Sequence, residues 1–294
     1  MAPIVTRRAA GTILPMPDPP TVPPMRIATY NVNSIRERLP HLLAWLARAA
    51  PDVVCLQELR IRDGEFPRGP LEKAGYGAFW QAQSTRFNGV AILARGTEPV
   101  AVRRGLPGDA TGAAARYIEA AVEGILIGCL YAPNGNPQPG PKFDDKLEWH
   151  RRFARHAADL AGTRLPVVLA GDYNIVPGER DIYATRSYAS NALVQPASRS
   201  AFAALLAQGW IDALRTVHPE DPALYTFWDY MRKRWERNAG LRLDHLLVSP
   251  SLRPRLADAG VDRDERGAPG ASDHAPAWIR LDPDSPRPRT AKRR

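Results

Sequence analysis

Cysteine is nearly absent: the 294 residues hold two, Cys55 and Cys129, each inside an apolar segment that reads as a buried strand. So few thiols argue against a disulfide framework and suit a reducing cytosol. Long apolar runs are missing as well; none approaches the roughly 20 residues that a membrane-spanning helix needs. A secretory signal is not recognisable, because no apolar stretch follows Arg7 and Arg8. Negative charge is in deficit. The 31 Asp and Glu face 40 Lys and Arg, which gives a net charge of +9 and an isoelectric point near 9.9. Such an excess favours a polyanionic partner and fast electrostatic encounter, although a GC-rich, Arg-favouring genome also yields basic proteins. The glycine-rich segment GLPGDATG (105–112) lacks the Lys-Ser/Thr of a phosphate-cradling loop and reads as a surface loop.

At 44% hydrophobic residues the chain can bury a full core, as one large domain or two small ones. No internal break in composition divides it. Residues 1–24 are rich in proline without apolar periodicity, and residues 282–294 are proline-rich and basic; both read as disordered tails. Three segments carry helical periodicity. Residues 36–50 place Leu39, Leu42, Leu43 and Leu46 on one face, 144–161 run from Asp144 and Asp145 to Gly162, and 199–208 close at Gly209. Strand-like segments 87–95 and 98–104 read as a hairpin. The pattern as a whole predicts an α/β fold, a mixed sheet covered by helices.

Six apolar segments end in polar side chains. LPVVLAGDYN (165–174) delivers Asp172 and Asn174, which face the same side if the strand stays extended. SDHAP (272–276) supplies Asp273 and His274, the latter able to titrate near neutral pH. RIATYNVN (26–33) ends in Asn31 and Asn33, DVVCLQE (52–58) in Gln57 and Glu58, and ILIGCLYAPN (125–134) in Tyr131 and Asn134. LRLDHLLVS (241–249) places Asp244 in an apolar strand, where an unpaired charge would cost several kcal/mol. Gly-Asp-Tyr-Asn after four aliphatics is also an ordinary strand-to-turn ending. The set is harder to explain that way. A hard divalent metal beside a positioned acid or base is the equipment for cleaving a phosphate ester.

In order and spacing, NVN, LQE, YAPNG, GDYN, RLDHLL and SDHAP resemble the motifs of the exonuclease III family of abasic-site endonucleases, within the endonuclease/exonuclease/phosphatase superfamily. The likeness runs from about Met25 to about Leu281. LQE, GD-x-N and SDH are shared with phosphoinositide phosphatases and sphingomyelinases, whereas TFWDYMRKRWERNAGLRLDHLL (226–247) points to the DNA-repair branch. The resemblance implies a four-layer α/β sandwich, two packed mixed β-sheets flanked by helices, similar to deoxyribonuclease I. A single catalytic domain over 25–281 follows from it. Family members commonly begin just before the first strand, which would make Met25 the start.

Roles follow from the same resemblance. Glu58 resembles the main Mg²⁺ ligand, with Asn31 and Asp273 close by and Asp172, Asn174 and His274 completing the metal-site set; Mn²⁺ is the expected substitute. Asp172 corresponds to the residue that activates water or protonates the leaving 3′ oxygen, and Asn174 to one that binds the scissile phosphate. His274, held by Asp244, would be an imidazolium, and Tyr131 either binds phosphate or acts as a phenolate. Phe227, Trp228 and Leu241 match a pocket for an extruded abasic sugar; Trp228, like Phe227 and Trp235, also reads as plain core. Arg232, Lys233, Arg234, Arg237 and Arg242 would grip phosphates, with Arg116 near the scissile one. His245 should face away from Asp244, and His41, His150, His156 and His218 have no ligand partners in spacing. A monomeric, cytoplasmic, nucleoid-associated enzyme is expected, acting on double-stranded DNA with abasic or 3′-blocked ends. LQEL in place of LQET, Asn134 where some members carry Gln and a short segment around 185–200 depart from the family pattern. A phosphatase acting on other phosphoesters and a catalytically silent nucleic-acid-binding regulator are the competing readings.

Overall fold

A computed structural model describes residues 24–83, 87–109 and 114–283. The two expected tails lie almost wholly outside these residues, as does part of the 105–112 loop. The strands are β1 (Met25–Asn31), β2 (Val53–Gln57), β3 (Tyr76–Gln81), β4 (Val90–Arg95), β5 (Val100–Arg104) and β6 (Tyr117–Val122). They continue with β7 (Ile125–Tyr131), β8 (Val167–Asp172), β9 (Ile211–Asp212), β10 (Asp244–Val248), β11 (Leu256–Val261) and β12 (Ala277–Leu281). Helices are α1 (Ile35–Ala49), α2 (Arg68–Lys73), α3 (Pro141–Gly162), α4 (Pro196–Ala207) and α5 (Ala213–Val217).

Two six-stranded sheets form, in the orders β11-β12-β1-β2-β4-β3 and β5-β6-β7-β8-β10-β9. Each contains one parallel pair, β1 with β2 and β7 with β8, joined through α1 and α3 respectively. A parallel pair needs a crossover, and a helix packed on the outer sheet face supplies it. Strand alternation then sorts the side chains. Ile27, Val53, Cys55, Ile127, Cys129, Val168, Ala170 and Leu246 fill the core between the sheets. Their neighbours Ala28, Tyr30, Val54 and Leu56 face α1, while Leu130, Leu169 and Leu247 face α3 and α4. The result is the four-layer sandwich that the resemblance implied.

Three expectations need correction. β4 and β5 are no hairpin: β4 pairs with β2 and β3 in one sheet, and β5 with β6 in the other. The short link between them carries the chain from sheet to sheet. On α1 the buried face is Ile35, Leu42, Trp45 and Leu46, with Leu39 and Leu43 only partly covered. Trp45 takes that place because it packs edge-on against Tyr30 of β1 and donates its indole N–H to Asp262. Asp244 opens β10 and is not enclosed within a strand.

Candidate active site

The inward-facing residues that make the core between the sheets become polar at one end of the seam. On β1 the series is Ile27, Thr29, Asn31; on β8 it is Val168, Ala170, Asp172; on β10 Val248 and Leu246 lead back to Asp244. In register, Asp172 lies opposite Asp244 on one side and Tyr131 on the other. Gly171 is required beside them, since a Cβ there would come within 2.0 Å of the Leu130 carbonyl oxygen.

Asp172 and Asn174 do not share an extended face. The strand stops at Asp172, and Asn174 adopts a left-handed backbone with φ of 50°. Its N–H folds back to Asp172 Oδ1 at 2.8 Å, and its side-chain amide reaches Asp172 Oδ2 at 3.3 Å. The same turn closes β1, where Asn33 (φ 45°) donates its N–H to Asn31 Oδ1 at 3.0 Å. Asparagine tolerates this conformation better than most residues, which accounts for Asx-x-Asn at both strand ends. Glu58, just past β2, is also left-handed at φ 56°. Three left-handed residues at one seam mark backbone held by its surroundings.

Asn31 donates its amide to Asp172 Oδ2 at 3.0 Å, crossing from one sheet to the other. His274 reaches Asp244 Oδ2 through Nδ1 at 2.7 Å, while its Nε2 stands 3.9 Å from Asp172 Oδ2. Burial alone would lower the imidazole, but Asp244, Asp172 and Asp273 outweigh it and push it up to about 10. His274 is therefore an imidazolium at neutral pH. Burial drives the Asp172 carboxyl upward, His274 draws it down, and Asp244 raises it again; it settles at about 7.

Glu58 lies nearer the solvent, with its side chain 15% exposed. Tyr131 donates its hydroxyl to Glu58 Oε1 at 2.8 Å, and Arg60 pairs with the same oxygen at 2.9 Å. Burial, then Glu58 and Asp172, holds the Tyr131 phenol well above its usual value. It is a neutral donor. Arg116 lies over the Tyr131 ring at 4.9 Å and donates to its carbonyl at 3.1 Å. Asn33 donates to Asp273 Oδ1 at 2.9 Å.

One cluster here gathers metal-ligating atoms, and a second set of residues suits a metal by donor chemistry. Ligand atoms of Asp172, Asp244 and His274 lie within 4.8 Å of one another, and Asp244 Oδ1 is buried without a partner among the described residues. An imidazolium has no lone pair, however, so His274 ligates only after losing its proton. Glu58, Asp273 and Asn31 offer hard oxygen donors without sulfur, the set a Mg²⁺-type ion takes. The residues present fit such an ion.

Segment 226–228 ties the site to the flanking loop. Phe227 exchanges both backbone hydrogen bonds with Leu241, Ala275 donates to the Thr226 carbonyl, and Trp228 donates to that of Asp273. The Phe227 ring thereby rests 5.0 Å from the His274 imidazole. Trp228 and Leu241, expected to line a pocket, are 0% and 1% exposed and support the wall from beneath. Trp228 packs on Trp235 and donates to Asn238. Arg232, Lys233 and Arg237 are exposed, beside Met231 at 67%. Arg234 is not: it lies buried over Tyr183 and Tyr188. Arg242 corrects the expectation outright, for it is buried and bound to Asp181 and Asp212. His245 packs away from the site against Tyr173 and Phe202, as its strand position predicted. His156, which has no ligand partner in spacing, pairs with buried Glu119 on β6.

Sequence reasoning missed Arg60, Asn136 and Lys146. Lys146 carried a readable signal: it falls on the buried stripe of α3 with Trp149, His150, Phe153 and Ala157, where a charge demands a partner.

Residues 28–274 match the profile of the Endonuclease/Exonuclease/phosphatase family. The chain is 32% identical over 266 residues to exodeoxyribonuclease III of Haemophilus influenzae, covering 86% of this chain and 98% of that one. Among solved structures it is similar to the 3′-5′ exonuclease NExo from Neisseria meningitidis, at 38% identity and a TM-score of 0.83, covering 88% of this chain and 100% of that one. An AP endonuclease from Archaeoglobus fulgidus matches at 32% identity and a TM-score of 0.83, covering 88% and 99%.

Proposed function

This chain belongs to the endonuclease/exonuclease/phosphatase family, and from that premise we propose that it is a DNA-repair phosphodiesterase. Its substrates are duplex DNA with abasic sites, cut on the 5′ side, and 3′ ends from which nucleotides or blocking phosphates are removed. The observation that carries this reading is His274, held by Asp244 at Nδ1 across 2.7 Å and facing Asp172 across 3.9 Å. A fixed cation beside a carboxylate that titrates near neutrality suits phosphoryl chemistry, which is mostly positioning and electrostatics.

Asp172, at about 7, is poised to take the proton of an attacking water. Its neighbours Asn31 and Asn174 hold the carboxylate so that the proton-accepting oxygens do not swing. His274 neutralises charge that gathers on the phosphate as it becomes pentacoordinate. Tyr131 serves as a neutral donor rather than a phenolate, which its raised pKa supports. Glu58, Asn31 and Asp273 would hold Mg²⁺, or Mn²⁺ in its place. Bound there, the ion would add Lewis-acid charge to the phosphate oxygens. Exposed Arg232, Lys233 and Arg237 would meet the backbone of the DNA, consistent with the net charge of +9. The enzyme would act as a monomer in the cytoplasm, on nucleoid DNA.

Within this chemistry, one feature favours 3′ ends over internal abasic sites. Trp228 and Leu241 are buried and offer almost no surface to an extruded sugar, whereas Phe227 is half-buried. A duplex carrying one tetrahydrofuran abasic analogue separates the cases, incubated in Mg²⁺ and in EDTA beside Asp172→Ala. A single Mg²⁺-dependent nick 5′ to the analogue, absent in the variant, establishes the endonuclease. Progressive 3′ shortening without a nick makes it an exonuclease. With neither, across several salt concentrations, the DNA assignment fails and other phosphoesters take its place.

A further inference from the structure

Asn136 and Lys146 stand one layer behind the site, and among the described residues neither bonds to Asp172 or His274. We infer that both are positioning residues, which fix the amide of Asn174 from behind and with it the accepting edge of Asp172. The inference rests on the phosphodiesterase reading above.

A continuous line of side-chain amides leads to the carboxylate. The peptide N–H of Ala192 donates to Asn136 Oδ1 at 2.9 Å. Asn136 Nδ2 donates to Asn134 Oδ1 at 2.6 Å and to Asn191 Oδ1 at 3.0 Å. Asn134 Nδ2 donates to Asn174 Oδ1 at 3.1 Å. Asn174 Nδ2 then donates to Asp172 Oδ2 at 3.3 Å and to the Ala132 carbonyl at 2.9 Å. Every amide points its NH₂ toward Asp172.

An asparagine amide turns end for end at almost no steric cost, so its neighbours alone decide which end is the donor. Here one end of the line is a peptide N–H, which only donates, and the other is Asp172 Oδ2, which already accepts from the Asn31 amide. Turning Asn136 would set its NH₂ against the Ala192 N–H and its oxygen against two amide oxygens. The polarity is therefore dictated from Ala192 to Asp172. Asn174 is left with its oxygen and both amide hydrogens engaged.

Lys146 holds the backbone of the same two turns. Its Nζ donates to the Asn174 carbonyl at 2.6 Å and the Asn134 carbonyl at 3.2 Å from a fully buried position. Gly135, at φ 86°, makes room for it; a Cβ there would lie 2.6 Å from Lys146 Cδ. The left-handed turn at Asn174 is thus pinned through its carbonyl as well as its side chain.

The test measures kcat and KM on an abasic duplex and a 3′-phosphate duplex in Mg²⁺, for Asn136→Ala, Asn134→Ala, their double variant, Lys146→Arg and Lys146→Met. Asn136→Ala should lower kcat about 5- to 20-fold with KM within about 2-fold. Its thermal midpoint should stay within about 2 °C of the unaltered chain. In the Asn134→Ala background the same change should add less than about 2-fold, because Asn136 acts through Asn134. Lys146→Arg should keep most of the activity that Lys146→Met loses. An unchanged kcat in Asn136→Ala overturns the inference, as does a full effect in the Asn134→Ala background or a loss that merely follows the midpoint. If the unaltered chain cleaves neither duplex, the phosphodiesterase reading fails by itself. The side-chain amide ¹H–¹⁵N signals of Asn134 and Asn174 then decide the relay without substrate. They should move on Asn136→Ala, and stationary signals refute it.

Discussion

Arg242 and Asp244 stand two residues apart, at and just before the start of β10, and each anchors a buried cluster of charge. Around Arg242 the charges balance. Arg242 bonds Asp181 at 2.7 Å and Asp212 at 2.8 Å, and Arg215 also reaches Asp181 at 2.7 Å. Around Asp244 they do not: two carboxylates share one imidazole, and Asp244 Oδ1 has no partner among the described residues. The consequences run in opposite directions. Burial would raise Asp181, but Arg242 and Arg215 hold it below the usual carboxylate value. Burial and Asp244 lift Asp172 to about 7 against the pull of His274. A saturated network stores structure, and an unsaturated one keeps a proton within reach.

The sharpest way to break this comparison is Asp172→Asn. Turnover on DNA should fall by on the order of 10³, read from single-turnover cleavage in Mg²⁺. Stability should move the other way. The folded-state pKa of Asp172 lies above its unfolded value, so its ionised form costs stability as pH rises from the unfolded value toward about 7. In EDTA at pH 8 the variant should therefore melt about 2–5 °C higher, and the gain should fade as pH falls through 7 toward 4. A lower midpoint at pH 8 would break the contrast.

Arg242→Met tests the balanced cluster. Removing one partner of a buried network costs about 3–5 kcal/mol, measured by urea unfolding, while kcat of the folded fraction should change less than about 3-fold. Asp181 has a depressed pKa, so its contribution is present above the unfolded carboxylate value and lost as pH falls. The deficit of Arg242→Met should accordingly shrink in acid. A large loss of kcat at full stability would place Arg242 in the chemistry instead.

The unbalanced cluster should also write the pH profile. Cleavage should climb with pH until Asp172 ionises near 7, then decline toward 10 as His274 loses its proton. Flat rates from pH 5 to 9, with chemistry limiting, would sink that assignment. The smallest effect belongs to the exposed loop. Arg232→Ala should weaken DNA binding a few-fold and reduce the salt slope by about one. Fluorescence anisotropy at several salt concentrations reads it.

Much of the site was legible because it sits at strand ends. Apolar alternation is local, and a carboxylate or amide that closes such a run stands out, as Asn31, Glu58 and Asp172 do. The turns that hold them were readable only in part. Asp172 and Asn174 come together because the backbone reverses at Asn174, not because a strand continues. Asn136 gave no signal, since its meaning lies in contacts with Asn191 and Ala192, some 55 residues along the chain. Arg242 misled for the same reason: an arginine beside aromatics and lysines reads as a surface cation until Asp181 and Asp212 arrive from 61 and 30 residues away.

Sequence by itself determined the strands, the crossover helices and the residue types at the seam, because periodicity and strand-end chemistry act over a few residues. Only the tertiary structure decided depth. It left Glu58 within reach of solvent and buried Asp172 beside Asp244, and it turned Arg242 inward. Depth governs desolvation, and desolvation separates a carboxylate that binds a cation from one that holds a proton near neutral pH.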